Sequence, residues 1–374
     1  MLLIGLVARA VLVPITHGLD FTVWDLASQA TLRGVNVYAH HPAYPGGPYA
    51  YLPLFLYLEL PFQWLAEHTG VSFTILGKLP IVAGDVLAAA LIAELVRRSG
   101  GDDRRQALAT GLFFLNPLVI YDGAFYGRFD SVSIALFLLA VSAWRPAERA
   151  SWRFTVSYGL AIAAKTFPLA VLPWLLSRGR ATAARVLLGS AVVVGGLCLP
   201  YLVTRPVPFL RDQLYDYGKL SGGLSWQVVF HSLLPAATQL VLSQVLLLVF
   251  ALATIGLALL VDDLVTVAAV SLLLFIVLSK VAIEQYLTWP LAFLALLAVN
   301  RGSRSAAILL GLLSTAGILV NPYIHPFGTE PGALDILLAA AILAGAASLV
   351  RQARRFPRVE TEAEAEAQPV TSLA

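Results

Sequence analysis

Charge is what this chain has little of. Asp, Glu, Lys and Arg make up 13% of its 374 residues, 59% are hydrophobic, and the mean hydropathy is +0.80. Soluble domains carry roughly a quarter charged residues, so a water-soluble globular fold is excluded. Cysteine is nearly absent: Cys198 stands alone in the apolar run AVVVGGLCLP, which rules out a disulfide framework and a cysteine metal site. Phosphate-cradling loops of the Gly-x-Gly-x-x-Gly or P-loop type are missing too, and with them the usual grip on a soluble nucleotide. The net charge of +3 comes from arginines that mark topology rather than a nucleic-acid partner.

What is present is a series of long apolar runs. In a bilayer the backbone must bond to itself, so runs of roughly 17–25 apolar residues read as helices. The fold class that follows is all-α, a polytopic integral membrane protein. Sixteen of the 25 basic residues fall in five clusters, RRSGGDDRR (97–105), RPAERASWR (145–153), RGRATAAR (178–185), RGSR (301–304) and RQARRFPR (351–358), which mark the cytoplasmic side. The spans then alternate: 1–16 outward, 73–96 inward, 106–122 outward, 129–144 inward, 184–203 outward, 238–261 inward, 264–279 outward, 284–299 inward, 305–320 outward and 332–350 inward. YLPLFLYLELPFQWL (51–65), interrupted by Pro53, Pro61 and Glu59, lies at the outer interface, where its tyrosines and tryptophan are at home. A membrane domain thus covers 1–350 with an outer loop over 17–72, and 351–374, ending in the acidic, aromatic-poor VETEAEAEAQPVTSLA, is expected to be a disordered cytoplasmic tail. Arginine's excess over lysine and the alanine richness suggest a GC-rich prokaryotic genome, and so a plasma membrane with the site facing outward.

FTVSYGLAIAAKTFPLAVLPWLLS (154–177) breaks the alternation, because it joins two cytoplasmic clusters yet is long enough for one crossing. It is expected to enter and return as two half-helices broken near Lys165-Thr166-Phe167-Pro168, where proline removes a donor and unseats the preceding turn. Broken helices survive at membrane depth only beside protein or water, which makes Lys165 a candidate site residue.

Polar groups gather on the outer side: Asp20 and Asp25 in HGLDFTVWDLASQATLRG (17–34), Arg128 and Asp130 in YDGAFYGRFDS (121–131), Lys165, Trp226 and Gln227 in YDYGKLSGGLSWQ (215–227), and Lys280, Gln285 and Tyr286 in SKVAIEQYLTW (279–289). Carboxylates there can remove a proton and cations can hold a phosphate. Asp20, at the start of an amphipathic helix, also suits an N-cap, and Asp25 sits roughly 140° around that helix from it, as a supporting group. Lys78 and Asp85, seven apart on one helical face, are expected to form a buried structural pair. His40 and His41 project in different directions without spaced partners, so no metal ligand set is expected. Tyr44, Tyr49 and Tyr51, set among prolines, read first as an interfacial belt and second as a sugar-stacking platform.

Asp20-Phe21, Asp25, Gly34, Tyr38 and Tyr51-x-Pro-Leu, then Gly77-Lys78 with Asp85, Asn116-Pro117-Leu118, Gly127-Arg128-Phe129-Asp130-Ser131, Lys165-Thr166-Phe167-Pro168 and Lys280…Gln285-Tyr286…Trp289 follow in one order over residues 1–300. This order resembles the membrane-embedded glycosyltransferases of the GT-C class, above all the first mannosyltransferase of the GPI-anchor pathway and its prokaryotic relatives. The resemblance implies an inverting transfer of a sugar, mannose by preference, from a polyprenyl-phosphate donor to a lipid-linked or other glycan acceptor at the outer or luminal face. It implies Asp20 as the base, with Lys165, Arg128 or Lys280 on phosphate, and Asp130, Trp226, Gln227, Gln285 and Tyr286 around the sugar. One departure stands out: where that family has Asp-x-Asp, this chain reads Gly18-Leu19-Asp20, which argues against a metal held by paired acids. No cofactor beyond the lipid-linked donor is expected; membrane lipids and a partner subunit are the expected company. Two other classes share some of these features. A secondary transporter would place its ionisable groups between related halves, and a non-catalytic partner subunit would not need its loop acids.

Overall fold

The computed structural model describes residues 1–15, 18–39, 49–145, 150–213, 222–223, 225–227, 233–319 and 333–355. His40, His41, Tyr44, Lys219 and residues 356–374 lie outside the described residues; 351–355, expected to open the disordered tail, instead continue the last helix to Arg355. The described chain is helical almost throughout, an all-α membrane fold.

A short α1 (Leu2–Leu12) leads into α2 (Leu19–Leu32) and α3 (Leu54–Thr69), which pack on each other. Then come α4 (Phe73–Leu76) and α5 (Leu79–Arg98), α6 (Asp103–Phe114), α7 (Pro117–Ile120) with a π-helical turn at Tyr121–Tyr126, and α8 (Asp130–Ala143). The broken segment follows as α9 (Trp152–Ala164), a 3₁₀ turn at Phe167–Val171, and α10 (Leu172–Ser177). The rest is α11 (Arg180–Thr204), α12 (Pro206–Gln213), α13 (Ala236–Leu260), α14 (Leu264–Leu278), a 3₁₀ turn at Glu284–Thr288, α15 (Leu291–Asn300), α16 (Arg304–Leu319) and α17 (Ala333–Arg355).

Hydrogen bonds gather the five arginine clusters at one end of the bundle. Arg98 reaches the carbonyl of Ser142, Ser151 that of Ala143, Asn300 reaches Ser99, Arg178 pairs with Asp262, Arg301 with Asp263, and Ser303 meets Gln352. The ends that the arginine clusters were expected to place on one side therefore meet there. Helix lengths differ from the expectation. Four described helices are long and apolar enough to cross a bilayer, Phe73–Arg98, Arg180–Thr204, Ala236–Leu260 and Asp335–Arg355, and the bent pair Asp103–Phe114 with Pro117–Tyr126 makes a fifth. Run 106–122, which reads as one straight span, bends by 51° where Pro117 opens α7 and Asn116 caps it, accepting from Leu118 N at 3.0 Å. Run 284–299 divides at Pro290, and every residue from Leu291 to Leu297 is buried. Short helices suffice there because their neighbours are protein rather than lipid, whereas α11 and α13 leave most of their surface outward.

The break at Lys165 forms as the proline spacing predicts: Lys165 is extended at φ −155°, and Tyr158 Oη donates to the Pro168 carbonyl at 3.0 Å. The segment enters and returns, since Trp144 packs on Phe154 near its start (5.0 Å) and on Trp174 near its end (5.3 Å). Lys165 is thus the apex of a hairpin pointing away from the arginine end. Two short segments also pair: Gly222–Gly223 (β1) runs parallel to Val281–Ala282 (β2).

Candidate active site

Arg128 is the hub of the site. Gly127, in the left-handed region at φ +80°, turns the chain out of the π turn, and a side chain there would strike Phe21. Arg128 Nε donates to Asp20 Oδ2 at 3.0 Å, and its Nη1 donates to Glu284 Oε1 at 2.8 Å and Asp122 Oδ1 at 3.4 Å. The guanidinium also lies 3.9 Å over the Tyr126 ring. Burial works against its charge, but Asp122, Glu284 and Asp20 outweigh that and hold it above its ordinary value. Beside it, Lys165 Nζ donates to Asp130 Oδ1 at 2.7 Å, and Trp289 Nε1 donates to the same oxygen. Four rings surround the ammonium, with centroids 5.3 Å (Phe129), 5.5 Å (Trp289), 5.9 Å (Tyr51) and 5.9 Å (Tyr286) away.

The acids differ in access. The side chains of Asp122, Asp130 and Glu284 are 5%, 2% and 10% exposed, that of Asp20 31%. Asp20 Oδ1 takes no hydrogen bond from any described residue, so one oxygen is steered by Arg128 and the other is open. Asp20 is not the cap that its place before the helix suggested. Gly18 occupies that position, and the Asp20 carboxylate turns across to Arg128, where a guanidinium offers more than a backbone amide. The missing first acid also has a physical reason: a Cβ at Gly18 would lie 1.9 Å from the Tyr126 ring, and Gly18 N donates to the Tyr126 carbonyl at 2.7 Å.

The other sequence-derived residues divide into two groups. Tyr286 packs on Trp289 at 4.1 Å within the aromatic ring around Lys165. Gln285 is buried in the same 3₁₀ turn, its carbonyl accepting from Thr288. Asp25 lies half-buried on α2 and accepts from Gln29 at 2.6 Å. Trp226 and Gln227 point their polar hydrogens at the backbone: Trp226 Nε1 donates to the Val277 carbonyl at 2.8 Å and Gln227 Nε2 to that of Ser279 at 3.1 Å, clamping the end of α14. Lys280, half-buried, follows that clamp directly and opens onto β2. The Lys78–Asp85 pair does not form. Lys78 Nζ donates to the carbonyls of Val13, Ala124 and Phe125, each at 3.0 Å, and Asp85 pairs with Arg9 at 2.7 Å, because α1 slots its arginine against α5. Residues the sequence reading passed over are Asp122, Glu284, Tyr51 and Trp289 as polar participants. All four lay inside quoted motifs; for Asp122 the available signal was an acid flanking the arginine turn, whereas Tyr51 had been read only as an interfacial or sugar-stacking ring. Among the described residues, no three His, Cys, Asp or Glu side chains come together as a metal-ligand group.

An all-helical membrane bundle with an acid, arginine and lysine cluster at the end opposite its arginine loops has the build of a membrane-embedded glycosyltransferase. The family model described as glycosyltransferase family 87 matches residues 49–279, more than half of the chain, and the chain belongs to that family. The match takes in Tyr51, Asp122, Arg128, Asp130 and Lys165, while Asp20 lies well before its start and Glu284 just past its end. No curated protein matches the chain.

Proposed function

We propose that this glycosyltransferase is inverting and takes its sugar, mannose by preference, from a polyprenyl-phosphate donor, delivering it to a lipid-linked or other glycan acceptor at the outer face of the membrane. The observation that carries the reading is the asymmetry of the acids: Asp20 alone is open, and it is oriented by Arg128. Asp20 accepts the proton of the acceptor hydroxyl while that oxygen bonds to the anomeric carbon. The bond from that carbon to the phosphate oxygen breaks, and its electron pair leaves with the phosphate. A single base on the acceptor side suffices, because the leaving group departs already ionised.

The charge balance supports the same chemistry. Asp20, Asp130 and Glu284 face two cations, Arg128 and Lys165, with Asp122 buried beside them. An acid-rich pocket ringed by aromatic faces stabilises the positive charge that develops on the sugar ring in an oxocarbenium-like transition state. Lys165 has three N–H donors; Asp130 takes one, and the others are free to meet a phosphate oxygen at the apex of the broken hairpin. Purified protein in nanodiscs given a labelled short-chain polyprenyl-phosphate mannose and a lipid extract is the test. Transfer from that donor supports the reading; efficient transfer from GDP-mannose with none from the lipid donor overturns it.

A further inference from the structure

Tyr51 stands beside the phosphate cation, its ring among those that surround the Lys165 ammonium. Its phenol is pushed well above its ordinary pKa by burial first and then by Asp20, with Tyr286 and Asp130 adding to the effect and Arg128 opposing it, so it stays protonated. Its ring lies 5.9 Å from Lys165 Nζ and is wedged edge-on against Trp24 at 4.8 Å and Phe129 at 5.3 Å. Its carbonyl is gripped from two other elements, by Tyr38 Oη at 2.7 Å and Gln213 Nε2 at 3.1 Å. A residue held at both backbone and ring has little freedom left to lose on binding.

The neighbouring groups divide the chemistry. Phosphate oxygens go to cations, and the acceptor's proton goes to Asp20; the sugar between them presents hydroxyls, which pair with a neutral group able both to donate and to accept. Tyr51 carries such a group on a ring that is already fixed in place beside Lys165. We propose that the Tyr51 hydroxyl hydrogen-bonds the transferred sugar, in a contact that distinguishes a sugar-bearing lipid phosphate from the bare one. This rests on the lipid-phosphate donor proposed above. Tyr38, which holds the Tyr51 carbonyl, is then a positioning residue acting through it.

The test is binding and turnover in nanodiscs with two probes, a short-chain polyprenyl-phosphate mannose and the same polyprenyl phosphate without sugar. Tyr51→Phe keeps the ring and its packing on Trp24 and Phe129. It is expected to raise Kd for the mannose lipid about ten-fold, as for one lost hydrogen bond, with kcat/KM falling in step and Kd for the bare lipid unchanged. Tyr38→Phe is expected to give the same selective loss to a smaller degree, which keeps the test alive if Tyr51→Phe fails to fold. Equal weakening of both probes marks a structural role and overturns the sugar contact, as does a Tyr51→Phe variant that binds both like the wild type. Wild-type protein that binds neither probe overturns the donor reading, and the contact with it.

Discussion

Replacing Asp20 by Asn changes one oxygen to an amide and leaves the shape of the site intact. The ion pair that is lost is one of three that Arg128 makes, and the Asp20 side chain is 31% exposed. At that exposure a pair contributes at most about 1 kcal/mol, and Asp122 and Glu284 remain on the guanidinium. Unfolding temperature should therefore stay nearly constant. Catalysis should not: loss of a general base costs about 10²–10⁴ in rate, which is roughly 2.7–5.5 kcal/mol of barrier. The assay is initial-rate transfer of labelled mannose in nanodiscs, with donor affinity measured on the same preparation. Asp25→Asn is the matched control, since Asp25 sits on the same helix and bonds along it to Gln29; its rate should stay within about three-fold, the scale of an ordinary surface hydrogen bond. An Asp20→Asn variant active within a few-fold of wild type, or an equal fall in both variants, would refute the assignment of the base.

Lys165→Ala should cut turnover and bare polyprenyl-phosphate affinity together, and should also loosen Asp130, which loses its lysine partner; unchanged lipid affinity would remove the phosphate role. Chelator added to the transfer assay should have little effect, and an absolute requirement for a divalent cation would contradict the single-acid site. Glu59, buried in α3 with no described partner on either oxygen, is raised well above the carboxylate range by burial first and by Asp25 second. A raised native pKa means that its stabilising protonated form is fully favoured below the unfolded value of about 4.3 and becomes a growing cost as pH rises above it, so Glu59→Gln should gain melting temperature over wild type at pH 8 and not at pH 4. Arg9→Met should destabilise by about 3–5 kcal/mol, because it strands Asp85 at zero exposure, and combining it with Asp85→Leu should recover much of that loss; additive losses in a melting series would contradict the pairing.

Much of the architecture was legible in the sequence because two strong signals carried it. Arginine clusters fixed which ends lie together, and a lysine and proline inside an apolar segment between two such clusters could only be the tip of a hairpin. Pairings across the bundle were not legible. Lys78 and Asp85 share a helical face, yet the arginine that answers Asp85 comes from α1, and spacing within one helix carries no information about another. The same limit hid Glu284, whose partner lies 156 positions away. The acids near Arg128 were visible as motifs; which of them would be open was a matter of burial, and burial is settled by the packing of α2 and the 3₁₀ turn against the arginine loop. Trp226 and Gln227, polar residues in an outer segment, had the composition of ligand contacts, but the end of α14 needed its carbonyls satisfied and took them.

The ring of Tyr126 fills the space in which a side chain at position 18 would stand, and it lies beneath the guanidinium that orients Asp20. Positions 18 and 126 are therefore coupled in space: an acid at 18 requires a smaller residue at 126, and a smaller residue at 126 takes away the ring on which the Arg128 guanidinium rests.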